Sequence, residues 1–110
     1  MKKNIAFVLT IALALAITLI TPRASYAADD SAALYKTKCA SCHGATGAAD
    51  TTIGKKENLR ALGSAEVQAQ TDQQLFDWTA KGKAKMPAYA GKLTDEQIKG
   101  LVAFMRTLKK

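Results

Sequence analysis

The run Cys39-Ala40-Ser41-Cys42-His43 places two thiols one helical turn apart and an imidazole directly after the second. At this spacing both thiols can add to vinyl groups on the same edge of one porphyrin, and the next residue then directs its imidazole at the iron. Neutral imidazole is a good ligand for iron, and Cys-x-x-Cys-His is the signature of c-type haem attachment. The run therefore predicts one haem c, bound covalently through Cys39 and Cys42, with His43 as an axial iron ligand.

Three other uses of the two cysteines are weighed against haem. A disulfide is the default in an oxidising compartment, but the directly following His43 favours the haem motif. Structural zinc needs four ligands, and the chain offers only Cys39, Cys42 and His43 as cysteine or histidine donors. A thioredoxin-like redox pair needs a preceding strand and a βαβ framework, whereas the motif here closes a helical segment. Haem attachment is the favoured interpretation.

The second axial ligand of the iron is expected to be Met86. His43 is the only histidine in the chain, so a second imidazole from the same chain is impossible. Met105 falls on or beside the apolar face of a helix, where core packing is expected. Met86 lies in a loop punctuated by Gly82 and Pro87, and Pro87 biases the residue before it toward an extended backbone. The alternative is a loop methionine that fills a gap.

The first 27 residues carry the pattern of a secretory signal peptide. Lys2 and Lys3 form a positive start, residues 5–20 are apolar apart from two threonines, and Pro22 precedes the small-residue site Ser25-Tyr26-Ala27. Cleavage after Ala27 and export to the periplasm are expected. The alternative is a retained membrane anchor, because the sixteen residues of the apolar run approach the roughly 20 that span a bilayer.

Residues 28–110 are then expected to form the working domain, which has 83 residues. Removing Lys2, Lys3 and Arg23 lowers the number of basic residues from 16 to 13 against nine acids, so the formal charge falls from +7 to +4. A chain this short gains little stability from an apolar core alone, and a staple is expected. A covalently bound haem meets that need.

Local signals predict an all-α fold with four or so short helices and no strand. Apolar residues recur at helical spacing, and small residues and glycines separate the periodic segments. The last helix is the clearest element, and the second is the weakest. The predicted helices span about 31–41, 58–62, 72–81 and 95–108.

Helix-capping residues support three of these predictions. Asp30 is expected to cap the first helix. Thr71 with Gln74, and Thr94 with Gln97, have the spacing of capping boxes at the starts of the third and last helices.

With the cysteine motif and Lys85-Met86-Pro87 both in place, the chain resembles the small monohaem class I c-type cytochromes of bacteria over nearly all of residues 28–110. The resemblance implies the cytochrome c fold, in which short helices wrap around one covalently bound haem and the N- and C-terminal helices cross. It also implies thioethers at Cys39 and Cys42, with His43 Nε2 and the Met86 sulfur as axial ligands.

The terminal helices extend the resemblance. Tyr35 matches the family's aromatic residue four positions before the first cysteine, and Leu101 with Phe104 matches the aliphatic and aromatic pair of the last helix. Small residues, Ser31 and Ala32, stand where the family lets the two helices touch.

One departure from the family concerns the partner of the ligand histidine. Many relatives have a proline about a dozen residues later, whose carbonyl accepts the imidazole Nδ1 hydrogen; here no proline occurs between His43 and Pro87. Metal-bound histidines nearly always have such a partner, so a carbonyl near residues 52–54 is expected instead. Trp78 and Tyr89 are candidates to hydrogen-bond a haem propionate, because a buried indole or phenol seeks a polar partner.

The expected function is that of a periplasmic one-electron carrier, not an enzyme. An iron with both axial positions filled by protein has no vacant site for oxygen or peroxide, and His/Met ligation raises its reduction potential. Outer-sphere transfer at the haem edge suits such a centre. Two alternatives stay open: a haem-based ligand sensor or weak peroxidase if the bond between Met86 and iron is labile, and an electron-input subunit of a periplasmic dehydrogenase.

Charge predicts the kind of partner. The interval between Asp77 and Asp95 has no acid and surrounds the Met86 loop. A basic rim there would steer a redox protein with an acidic docking surface; the alternative is an ordinary solvated loop. Nucleic acid is not expected at a charge of +4, contact with a membrane is expected only through a partner complex, and the protein is expected to be a monomer. The basic residues of the interval are Lys81, Lys83, Lys85 and Lys92.

Overall fold

A computed structural model describes the backbone of residues 24–110 and the side chains of residues 30–110. The predicted signal features Lys2, Lys3, 5–20 and Pro22 lie outside the described residues. Within the described part, the only β structure is two isolated bridges, and no helix is both long and apolar enough to cross a bilayer. The all-α fold class is confirmed. The helices are α1 (Ala24–Lys38), α2 (Ala40–His43), α3 (Thr52–Lys56), α4 (Ala65–Gln68), α5 (Asp72–Lys81) and α6 (Asp95–Thr107).

The two longer helices after the motif begin at the predicted capping boxes. The Thr71 hydroxyl accepts a hydrogen bond from Gln74 N at 3.1 Å, and the Gln74 side chain accepts one from Thr71 N at 2.8 Å. Thr94 and Gln97 repeat the arrangement at the start of α6. Each box satisfies two backbone N–H groups that the first helical turn leaves without partners.

The predicted start of the first helix is wrong. Helix α1 begins at Ala24, so Asp30 lies within the helix and does not cap it. Because Ser, Asp and Asn are favoured at N-caps but tolerated inside helices, one aspartate is a weak signal for a helix start.

The predicted helix at 58–62 is also wrong, and two one-turn helices flank that position instead. Thr51 caps α3 by accepting a hydrogen bond from Gly54 N, and Ser64 caps α4 by accepting one from Val67 N. Asn58 has φ +51°, a left-handed conformation that asparagine tolerates and that ends a helix.

The terminal helices pack against each other, as the resemblance implies. Buried Ser31 of α1 stands against Gly100 of α6, where an added Cβ would overlap the serine Oγ. The Tyr35 and Phe104 rings lie 4.9 Å apart between centroids at 41°. The close approach of small residues therefore lets the aromatic rings meet. The buried core cluster consists of Tyr35, Leu62, Val67, Leu75, Leu101, Val102 and Met105.

Arg106 holds the segment before α5 against α6. Its guanidinium donates to the carbonyls of Gln68 and Gln70 at 3.0 and 2.5 Å, and to Asp72 Oδ1 at 2.9 and 2.8 Å. A planar guanidinium with five donors suits such a set of acceptors. These contacts hold the start of α5 against α6.

Candidate functional site

The cysteine motif forms the junction between α1 and α2. Cys39 N donates to Tyr35 O at 2.8 Å and His43 N donates to Cys39 O at 2.9 Å, so helical hydrogen bonding runs through the motif. Cys39 and Cys42 form no disulfide with each other and are half-buried, as is His43. The backbone thus holds the two thiols one turn apart with the imidazole on the adjoining residue, which is the spacing that the sequence predicts.

The surroundings of the thiols do not suit a redox pair or a zinc site. Burial, and next the charge of Cys42, raise the pKa of the Cys39 thiol to about 11, whereas redox-active cysteines have a depressed pKa. A βαβ framework is missing from residues 24–110, where β structure is limited to isolated bridges. In the described part, no group of three or more Cys, His, Asp or Glu side chains could hold a metal ion.

The His43 imidazole has a distinctive environment. Burial lowers its pKa, which favours the neutral form that binds metals. Its Nδ1 atom is buried and has no hydrogen-bond partner among the described residues. The expectation that a carbonyl near residues 52–54 accepts from this atom is therefore wrong. The carbonyls of Ile53 and Gly54 accept from Glu57 N and Leu59 N instead.

Residues 49–54 brace the motif from the side. Thr51 Oγ1 donates to Cys42 O at 2.7 Å and accepts from Gly54 N at 2.8 Å. Ala49 N donates to His43 O at 2.8 Å. An added Cβ at Gly54 would overlap Ala49 O and lie 2.9 Å from Cys42 O. This packed backbone fixes the motif with respect to α3.

Tyr35 supports the motif from the core side. The side chain is 2% exposed, and its hydroxyl donates to Gly44 O at 2.7 Å. Burial, followed by the charges of Cys39 and Asp50, raises the pKa of Tyr35 to about 12. The phenol therefore stays protonated and keeps the carbonyl that follows His43 in place.

Met86 closes a four-residue turn. Lys83 N donates to Met86 O at 3.2 Å and Met86 N donates to Lys83 O at 2.9 Å. Ala84 has φ +52° and Gly82 has φ +71°, and an added Cβ at Gly82 would stand 2.6 Å from Met86 O. Glycine is thus needed at 82 for both its conformation and its lack of a side chain. The Met86 side chain is half-buried.

Two contacts join the Met86 loop to the region of the motif. The Tyr89 hydroxyl donates to Lys38 O at 3.0 Å, and burial followed by the charges of Cys39 and Cys42 raises the pKa of that phenol. The Tyr89 proton is therefore used by a backbone carbonyl. Its expected hydrogen bond to a haem propionate, like that of Trp78, stays a prediction. Lys85 Nζ lies 2.8 Å from Glu57 Oε1, on the segment after α3.

Sequence reasoning missed Glu57 and Tyr35's partner Gly44. Glu57 precedes Lys85 by 28 residues, and no local pattern links them. The resemblance places Tyr35 at the contact between the terminal helices, but no pattern in the sequence predicts its hydrogen bond to a carbonyl. Only the fold brings such pairs together.

The residues fit a covalently bound haem. Two cysteines that form no disulfide and a half-buried imidazole stand on one helical turn. A half-buried methionine lies in a separate loop that is tied to both flanks of the motif. Imidazole and methionine thioether donors hold haem iron in proteins, and a Cys-x-x-Cys-His motif binds its porphyrin covalently.

Comparisons with known proteins agree with this donor set. A protein-family model described as "Cytochrome C oxidase, cbb3-type, subunit III" matches residues 27–105. The chain belongs to the c-type cytochromes. This c-type cytochrome is 40% identical over 110 residues to cytochrome c6 of Thermosynechococcus vestitus, with 96% of this chain and 91% of that protein covered. Cytochrome c6 of Thermostichus vulcanus matches with the same identity and coverage.

A solved structure shares the fold of this c-type cytochrome. The structure titled "KustC0563 c-type cytochrome" superposes with a TM-score of 0.68 at 33% identity, and the match covers 73% of this chain and 98% of that one. Family and relatives together establish a covalently bound haem c and an electron-transfer function rather than an enzymatic one. Redox proteins are therefore its partners.

Proposed function

We infer that this c-type cytochrome is an exported one-electron carrier whose haem is joined to Cys39 and Cys42 by thioethers and bound axially by His43 and Met86. The observation that supports it most directly is the pair of links, Tyr89 to Lys38 and Lys85 to Glu57, that ties the Met86 loop to both flanks of the motif. Without that placement Met86 would be an ordinary loop residue.

The chain's own residues account for the expected chemistry. When bound, the haem supplies an iron that exchanges one electron between its ferrous and ferric states. His43 and Met86 would hold the iron between them, which would leave it no open position for oxygen or peroxide. Methionine ligation would raise the reduction potential, and the backbone packed against the motif at Thr51 and Gly54 would keep His43 in one position.

The domain boundaries and location belong to the same proposal. Residues 1–27 form a cleaved signal peptide, and residues 28–110 form the cytochrome domain, which works in the periplasm as a monomer. Support comes from the positive start, the apolar run and the small-residue site at Ser25-Tyr26-Ala27, which together are the pattern of a secretory signal.

Removing either cysteine tests the covalent attachment. We expect Cys39→Ala and Cys42→Ala each to leave a single thioether, because each thiol adds to one vinyl group. The alkaline pyridine complex of the reduced haem then absorbs at longer wavelength than that of the unmodified protein. Ser41→Ala, between the two cysteines, is the matched control and keeps two thioethers. An unchanged spectrum for either cysteine variant would contradict its assignment.

We propose that the redox partner docks through an acidic surface. The basic loop around Met86 supports this proposal. Part of the positive charge is compensated, because Lys81 pairs with Asp77 at 3.5 Å and Lys85 pairs with Glu57 at 2.8 Å. The Lys83 ammonium lies 4.5 Å from the centroid of the Trp78 ring. Because two carboxylates offset four lysines, steering by this surface is weaker than the sequence alone predicts. The four lysines remain exposed and accessible to an anion.

Small redox probes of opposite charge test the sign of this surface. We expect the oxidation rate by ferricyanide to fall as ionic strength rises, and the rate with a cationic cobalt complex to rise, because salt screens both interactions. Lys92→Gln should slow ferricyanide more than Lys99→Gln, which makes the same charge change on α6. Equal effects of the two variants would show that net charge, not the loop, sets the rate.

A further inference from the structure

The ion pair between Lys85 and Glu57 joins the two halves of the proposed iron site. Lys85 directly precedes Met86, and its Nζ lies 2.8 Å from Glu57 Oε1. Glu57 is the C-cap residue of α3, and its N–H donates to Ile53 O. The other end of α3 is bound to the motif through Thr51 and Cys42 O. The pair therefore runs from the histidine side of the site to the methionine side.

The tip of the Met86 loop has few other attachments. Within the described part of the chain, this ion pair is the one hydrogen bond, ion pair or ring contact that links residues 83–88 to anything outside residues 78–90. Ala84, Lys85, Pro87 and Ala88 are exposed, so packing holds this tip weakly. Loop tips with few buried contacts open at low free energy, and one added link then has a measurable effect on opening.

Burial is unequal across the pair. The Glu57 side chain is 22% exposed and the Lys85 side chain is 74% exposed. The carboxylate is thus held in a defined position by its surroundings, and the lysine reaches back to it from the loop. An ion pair with one partly buried member is screened less by salt than a fully exposed one.

We propose that Glu57 and Lys85 act as a latch that positions Met86 and resists its displacement from the iron by other ligands. The proposal rests on the proposed axial role of Met86. Glu57 acts from the histidine side and Lys85 from the methionine side, and both are positioning residues that do not touch the iron.

Imidazole binding to the ferric protein tests the latch. Imidazole is mostly neutral slightly above pH 7, so changes of surface charge do not alter its approach. We expect Glu57→Gln and Lys85→Gln each to raise the rate of imidazole binding by about two- to five-fold, the range that an ion pair of this exposure supplies. The double variant should show no further increase, and Lys85→Arg should behave like the unmodified protein.

Lys81→Gln is the matched control. It removes a lysine as exposed as Lys85 from an ion pair with Asp77, but that pair lies within α5 and does not cross the site. Imidazole binding at wild-type rate in this variant supports the latch. If Lys85→Gln matches Lys81→Gln, or if the effects of Glu57→Gln and Lys85→Gln add in the double variant, the latch is overturned.

The long-wavelength ferric band of methionine ligation separates failure of the latch from failure of the proposed function. A band that is present in all variants, with unchanged imidazole rates, overturns the latch alone. A wild-type protein that lacks the band overturns the axial role of Met86 and the latch with it. High salt gives a second measurement: it should speed imidazole binding to the unmodified protein but not to Glu57→Gln.

Discussion

Met86→Leu is expected to lower the reduction potential by on the order of 100 mV, a fraction of the roughly 0.8 V range that axial ligands span in haem proteins. Leucine has nearly the volume of methionine and no sulfur, so the change removes the proposed iron ligand with little change in packing. The ferric protein should lose its long-wavelength band and bind imidazole readily. Potentiometry followed by optical spectra measures all three effects.

Met105→Leu is the matched control, since it makes the same chemical change at the other methionine of the described chain. Met105 is 8% exposed and belongs to the core cluster. We expect its potential and ferric band to stay at wild-type values and its free energy of unfolding to fall by less than about 1.5 kcal/mol. If Met86→Leu left the reduction potential unchanged and Met105→Leu lowered it, Met105 rather than Met86 would be the iron ligand.

The predictions that held come from local signals. The sequence predicts the helical spacing of the motif, and it predicts α5 and α6 with nearly the observed bounds. Capping boxes and helical periodicity act within a few residues. Thr71 with Gln74 and Thr94 with Gln97 form the predicted hydrogen bonds. For these elements, the sequence within one or two turns contains the deciding interactions.

The features that the sequence does not predict depend on contacts between distant segments or on single side chains. Helices α3 and α4 are single turns, too short for periodicity to register, and each depends on one capping side chain, Thr51 or Ser64. The Tyr89 hydroxyl binds Lys38 O across 51 residues, and Glu57 meets Lys85 across 28. Both pairings arise from how the loops fold over the motif, and no local sequence pattern predicts them.

Gly54→Ala is expected to destabilise the protein by about 2 kcal/mol, although helix propensity alone predicts a gain of about 1 kcal/mol. Gly54 lies within α3, and an added Cβ would overlap Ala49 O, with Ala49 C at 2.8 Å and Cys42 O at 2.9 Å. All three atoms belong to the backbone and cannot rotate away. Overpacking of this kind costs about 1–3 kcal/mol, and immovable neighbours favour the upper end, so the clash outweighs the propensity.

The sign of the stability change in Gly54→Ala shows whether helix propensity or backbone overlap dominates in the segment packed beside the haem motif. Cys42 O already accepts from Thr51, and Ala49 N is bound to His43 O, so the added methyl can be relieved only by moving the motif itself. We therefore expect the midpoint of thermal unfolding of the haem-loaded protein to fall by roughly 10 °C for a domain of this size. Lys55→Ala, an exposed position in the same helix, should stay within about 0.5 kcal/mol of wild type. A Gly54→Ala variant that is more stable than wild type would mean that α3 can move away from the motif, and the rigid link from Cys42 to Glu57 would not exist.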